Sequence, residues 1–297
     1  MRAVWSFWSR PYVATKGWPW ANPLHHLLAW GLSVSAARRH YPDTALVTDL
    51  AGRRLLVDTL GLRFASVSTE LERLNQADPE WWALGKLVAY SIQDRPFVHI
   101  DTDVFLWNPL PPDVAEAEVL AQCPEYHHRN DERGLREIGN AFSECGSSLP
   151  VEWEWAVSRE DTFLREENCG ILGGCRVDFL RHYGRTAAGL ILQPENAAAW
   201  RRVRQKSNMA LEQFFLSACV DFHRYHPGSP YRGVHVKYLF PTWADAFNPN
   251  WSTRAGYTHL LGDAKSSPVV GRRLEERIRR EDPEYFHQCE KVARNVF

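Results

Sequence analysis

Two carboxylates spaced by one residue close an apolar run in His99-Ile-Asp101-Thr-Asp103-Val-Phe. In extended backbone, residues i and i+2 project to the same side, so Asp101 and Asp103 can converge on one hard cation. A magnesium or manganese ion held that way keeps positions open for water and diphosphate oxygens. Far later in the chain comes His259-Leu-Leu-Gly262-Asp-Ala-Lys265. A neutral imidazole can complete a carboxylate metal site, a glycine lets backbone approach a phosphate closely, and a lysine offers it a point charge. Each motif taken alone also has a plainer meaning: a surface turn after a strand, and an ordinary polar loop.

Such residues need a scaffold that brings the middle of the chain to its end. The sequence alternates short apolar runs with helical ones. Residues 3–8 form a first strand, ending in the turn-forming Ser9-Arg10-Pro11, and Pro23 opens a helix over 23–41. A second strand over 44–49, a helix over 53–60 and a third strand over 65–71 complete a β-α-β-α-β rhythm. A helix over 81–93 then leads into the apolar strand 96–100, which ends at Asp101. This alternation predicts an α/β protein with a mostly parallel central sheet flanked by helices and ligands at the carboxyl ends of the strands. A nucleotide would then lie near Ser9 and Asp49.

From 113 to 167 the pattern breaks into a polar, aromatic-punctuated stretch containing the run Tyr126-His-His-Arg-Asn-Asp-Glu-Arg133 and a strand-like segment at 119–123. Residues 168–174 read as strand and turn, 176–189 and 195–221 as helical, and the Arg- and Glu-rich tail from Pro268 as a solvated helix. One domain over 1–297 is expected: a nucleotide-binding half (1–112), a second half (113–265) for the rest of the ligand, and a helical tail (266–297).

The composition narrows the function classes. With 297 residues, 44% hydrophobic and 24% charged, the chain can bury a sizeable core. A net charge of −1 provides no basic field for a phosphate backbone, so nucleic acid is not an expected partner. No run approaches the roughly 20 apolar residues of a membrane span, and a cytoplasmic location is expected. The six cysteines are scattered, without a C-x-x-C pair, and read as buried small side chains. The 13 tryptophans suit a core, and exposed indoles also stack on sugar rings.

Together, the Asp-x-Asp pair and the late His-x-x-Gly-x-x-Lys resemble the glycogenin and bacterial galactosyltransferase family of retaining glycosyltransferases with the A-type, Rossmann-like fold. In that family Pro-Trp usually follows the lysine, where Ser266-Ser267 stand here. The resemblance implies manganese, or magnesium, on Asp101, Asp103 and His259, with Thr102, Gly262 and Lys265 at the donor. Asn168-Cys-Gly170 resembles the family's Asn-x-Gly strand along the donor sugar, and Glu212-Gln213 its acidic-Gln pair near the reacting face. Lys86 falls where such enzymes carry a basic residue before the metal motif. From topology, Trp8, Ser9, Tyr12 and Asp49 are candidates for base and ribose.

The implied reaction moves a sugar from a nucleoside diphosphate sugar, a uridine one by analogy, to an unknown acceptor: glycan, peptide or small molecule. Retention follows from the likeness, and inversion would require an acid such as Glu212 as general base. Two other classes remain open: a metal-dependent phosphoesterase or nuclease, and a carbohydrate-binding protein without turnover. The former commonly needs a second cluster of acids and histidines, and the sequence displays none. His25-His26 and His127-His128 read as structural or surface residues. Trp153 and Trp155 read as core, or as a stacking platform if their segment is extended.

Overall fold

The first strand, β1 (Arg2–Phe7), is apolar on both faces, with Ala3, Val4 and Trp5 fully buried. Such a strand must lie inside a sheet covered on both sides. In the computed structural model, which describes residues 1–16, 19–128, 134–159, 161–204 and 206–296, it does. The other strands are β2 (Thr44–Thr48), β3 (Ser66–Ser68), β4 (Phe97–Ile100), β5 (Val104–Leu106), β6 (Val119–Ala121), β7 (Pro124–His128), β8 (Phe163–Glu167), β9 (Ile171–Gly174), β10 (Val236–Tyr238) and β11 (Tyr257–His259). Seven of them form the central sheet in the order β10-β6-β9-β4-β1-β2-β3. β1, β2, β3 and β4 run parallel, as do β6 and β10, and β9 alone runs against its neighbours β4 and β6.

The reversed β9 is where small residues are required. A Cβ on Gly173 would stand 1.9 Å from the Phe97 carbonyl oxygen, and Gly174 has φ +138. Either change would push the strands apart.

Helices cover both faces. The Pro23–Arg38 helix starts on Asn22, whose side chain accepts from Leu24 N at 2.9 Å, with proline at the first position, where its missing N–H costs nothing. It packs under β5 and against two helices of the tail, Pro268–Glu281 and Pro283–Val296. The tail is therefore not simply solvated: Leu274, Ile278, Tyr285, Phe286 and Cys289 are buried, and Tyr285 donates to the Leu27 carbonyl at 2.6 Å. Each such apolar side chain contributes about 1.5–3 kcal/mol by leaving water. On the other face, the Leu84–Ser91 helix packs against Val177–Leu192, and Val151–Ser158 against Phe215–Tyr225.

Several local expectations change. Ser9-Arg10-Pro11 is the first turn of a helix, Ser9–Thr15. The third strand is only Ser66–Ser68 and gives way to a 3-10 turn from Glu70. The helix expected over 195–221 is broken: Pro194–Asn196, Ala197–Trp200 and Ala210–Phe214 precede Phe215–Tyr225. Trp153 and Trp155 lie on a helix rather than in extended chain, and Trp153 is fully buried. All six cysteines are unpaired; Cys123, Cys169, Cys219 and Cys289 are buried, whereas Cys145 is half-buried and Cys175 exposed. Residues 129–133 of the polar run lie outside the described residues. Among those described, no helix is long and apolar enough to cross a membrane.

Candidate active site

Asp101 follows β4 directly, and Asp103 precedes β5. β5 pairs with β11, placing His259 opposite Val104, one residue from Asp103. That two-stranded ribbon brings an imidazole from the end of the chain to carboxylates in its middle. Ligand atoms of Asp101, Asp103 and His259 lie within 4.8 Å of one another. His259 Nε2 is 3.5 Å from Asp103 Oδ2, and Lys265 Nζ is 2.5 Å from the same oxygen.

Behind the imidazole sits a residue the sequence did not point to. Gln122, fully buried just beyond β6, has its Oε1 2.6 Å from both His259 Nδ1 and the Tyr257 hydroxyl. With the Nδ1 proton donated to that oxygen, Nε2 presents its lone pair toward the aspartates, which suits a ligating histidine. Gly170 makes the arrangement possible: a Cβ there would stand 2.5 Å from His259 Nδ1 and from Gln122 Oε1. Gly170 also accepts from Asp101 N at 3.0 Å through its carbonyl.

Asp101 faces a second cation. Lys86, on the Leu84–Ser91 helix, lies 2.9 Å from Asp101 Oδ1 and 2.7 Å from Glu212 Oε1, and donates to the Cys169 carbonyl at 3.3 Å. Glu212 has no exposed surface and also accepts from Tyr90 Oη at 2.8 Å. Burial works against the lysine's charge, but Asp101 and Glu212 outweigh it and hold the ammonium above its usual range. Burial pushes the Asp101 carboxyl up to about 6; Lys86 opposes this, while Asp103 and Glu212 add to it. For Asp103 the balance is reversed: burial favours the neutral acid, yet His259 and Lys265 hold it well below the ordinary carboxylate range. His99, under Asp101, is kept neutral first by burial and then by Lys86.

These groups line a cleft of about 880 Å³. Thr102, Gly170, Gln213, Gly262, Trp8 and Tyr12 border it too, as do Trp20, His26, Trp82 and Trp243. Gly262 has φ +50, a left-handed turn that glycine adopts without strain. Gln213 is nearly buried, with no partner on Oε1. Asn168 donates to Glu125 and accepts from Gly170 N at 3.0 Å, fixing the turn before β9. Ser9 and Asp49 are placed differently. The Asp49 side chain accepts from Ser9 N at 2.8 Å, Ser9 Oγ at 2.7 Å and Gly52 N at 2.7 Å, and neither residue borders the cleft.

The two adjacent histidines separate as helical geometry requires. His25 contacts Glu275 at 2.8 Å, while His26 reaches the cleft among Tyr12 and Trp20. A second group of potential ligands, Glu125, His127 and Glu166, comes to the cleft through Glu125. Glu125 and His127 stand two apart on β7, and Glu166 joins them through the pairing of β7 with β8.

No curated protein matches this chain. A crystal structure of the galactosyltransferase LgtC in complex with donor and acceptor sugar analogs is 15% identical and covers 93% of this chain and 94% of its own, with a TM-score of 0.42. An active-site mutant of LgtC matches with the same identity and coverage and a TM-score of 0.43. The model of a protein family of unknown function, DUF6734, matches residues 1–292, and the chain belongs to that family.

Proposed function

We propose that this protein is a glycosyltransferase that moves a sugar from a nucleoside diphosphate sugar to an acceptor. The observation carrying this reading is the convergence of Asp101, Asp103 and His259 within 4.8 Å on the wall of a cleft of about 880 Å³, a volume suited to a nucleotide sugar. The same cleft presents Lys86 and Lys265. The Gln122 contact to His259 Nδ1 fits this donor set to manganese or magnesium, which when bound supplies Lewis-acid stabilisation of the leaving diphosphate. Lys265, on a short turn after Gly262, adds a charge that can meet a phosphate oxygen.

The aromatic wall of Trp8, Tyr12, Trp20 and His26 suits a nucleobase, uracil by resemblance, and the exposed indoles of Trp82 and Trp243 at the cleft suit acceptor rings. Gln213 offers its amide oxygen to the donor sugar. Glu212 is enclosed between Lys86 and Tyr90, which argues against its taking a proton from an acceptor and so favours retention over inversion through that residue.

Incubation with manganese and a panel of nucleotide sugars tests the reading. Release of nucleoside diphosphate and free or transferred sugar, lost in Asp103→Asn, is expected. Release of nucleoside monophosphate instead would indicate a phosphoesterase, and binding without turnover a carbohydrate-binding protein. Turnover that persists in Asp103→Asn would refute the assigned site.

A further inference from the structure

Away from the cleft, three helices turn one side chain each toward a common point. Glu152 comes from Val151–Ser158, His182 from Val177–Leu192 and His223 from Phe215–Tyr225. Glu152 and His223 are 4% and 5% exposed, while His182 is partly open to solvent. Their donor atoms form a closed triangle: Glu152 Oε1 is 2.8 Å from His182 Nε2 and 3.1 Å from His223 Nε2, and the two Nε2 atoms are 3.2 Å apart. We propose that this triangle is a zinc site, separate from the cleft, that clamps the three helices together.

The dimensions fit. Ligands about 2.05 Å from a tetrahedral zinc are about 3.3 Å from one another, and an ion at that distance from all three corners would stand about 1.1 Å above this triangle. Two imidazoles and a carboxylate are a zinc-binding set, and the partly open side at His182 leaves room for a water as fourth ligand. The second shell is in place: His223 Nδ1 lies 2.7 Å from Ser229 Oγ, which accepts from Tyr231 N at 2.9 Å. Donation from Nδ1 to that hydroxyl points the Nε2 lone pair at the triangle. Without a cation, two ring nitrogens and a carboxylate oxygen meet in a buried place, and at least one proton must sit between them.

The clamp has a structural use. Trp153, next to Glu152, packs edge-on against Phe214 at 5.1 Å, and Phe214 follows Gln213. A metal fixing Val151–Ser158 to its neighbours would steady the turn that carries Glu212 and Gln213.

The test is zinc retention by the whole chain. Protein stripped with a chelator, reloaded with one equivalent of zinc and desalted should keep about one ion per chain. It should keep that ion in Asp103→Asn, which removes the cleft site, and lose it in His182→Ala, whose partly exposed position tolerates truncation. His182→Cys, which restores a zinc ligand, should recover retention. Cobalt(II) in place of zinc should show the visible absorption of four-coordinate cobalt in wild type but not in His182→Ala, and zinc should raise Tm only where it is retained. Failure of wild type to hold zinc, retention surviving in His182→Ala, or loss in Asp103→Asn instead would each overturn the proposal and leave a hydrogen-bonded cluster only.

Discussion

Replacing Lys86 with methionine tests the electrostatics of the cleft floor without reference to any reaction. The ammonium is within 3 Å of two carboxylates, Asp101 at 2.9 Å and Glu212 at 2.7 Å, and the second has no exposed surface. Methionine keeps the length of the stem and removes the charge. Glu212 is then left with Tyr90 alone on Oε1, and its Oε2 has no partner even now. Removing one member of a buried ion pair costs about 3–5 kcal/mol, because the surviving charge has no counter-charge and no water. Against a typical total stability of about 5–15 kcal/mol, that is about a fifth at the least. At about 2 °C per kcal/mol for a chain of this size, Tm should fall by roughly 6–10 °C.

The diagnostic measurement is the double variant Lys86→Met/Glu212→Gln. A neutral amide keeps the shape and the Tyr90 contact but removes the stranded charge, so urea unfolding should show the double variant more stable than the single one. A Lys86→Met protein within about 1 kcal/mol of wild type, or a double variant no better than the single, would refute the account of Lys86 as the cation that makes this burial tolerable.

Gln122→Leu should weaken manganese binding at the cleft by about 10–100-fold, since it removes the acceptor that orients His259 and leaves Tyr257 Oη without its partner; unchanged affinity in a spin-resonance titration of free manganese would count against a ligating His259. His26 should make the fold acid-sensitive. Burial pushes its pKa from 6.5 down to about 4, with Asp103 opposing and Lys265 adding to the shift. The unfolded chain therefore takes up this proton first as pH falls, and the stability tied to the neutral ring, complete above about 6.5, is lost progressively toward about 4. Urea midpoints at about pH 7 and about pH 4.5 should differ less in His26→Phe than in wild type, and equal differences would discount this histidine.

How far the sequence alone reached depended on whether the signal was local. β1, β2 and β4 were legible as apolar runs, and the spacing of Asp101 and Asp103 after such a run placed them at the lip of a sheet. Ser9-Arg10-Pro11 misled because proline marks turns, yet at the third position of a helix its missing N–H is one of those left unbonded in any case. The residues around Trp153 alternate as a strand would, but the helix after Pro150 buries Trp153 and turns Trp155 elsewhere. Asp49 ends an apolar strand just as Asp101 does, and only the fold shows that its oxygens are spent on Ser9 and Gly52. Gln122 and the Glu152 triangle left no trace in sequence, because each is assembled from separate elements whose spacing follows no rule; of the Glu125 group only the Glu125-x-His127 spacing was there to see, and Glu166 joins it from another strand.

The antiparallel course of β9 has a further result for how this protein can vary. Gln122 N bonds to the Asn168 carbonyl and Asn168 N to the Cys123 carbonyl, both at 3.0 Å. The stretch 124–167 thus departs from and returns to a single anchored point, like a side branch on a stem. Growth or exchange of sequence in that branch would pull neither on Asp101 nor on His259, provided Trp153 keeps its seat against Phe214, Glu125 its bond to Asn168 and Glu152 its place beside His182 and His223. Sequence change can accumulate there while Asp101, Asp103 and His259 stay in register.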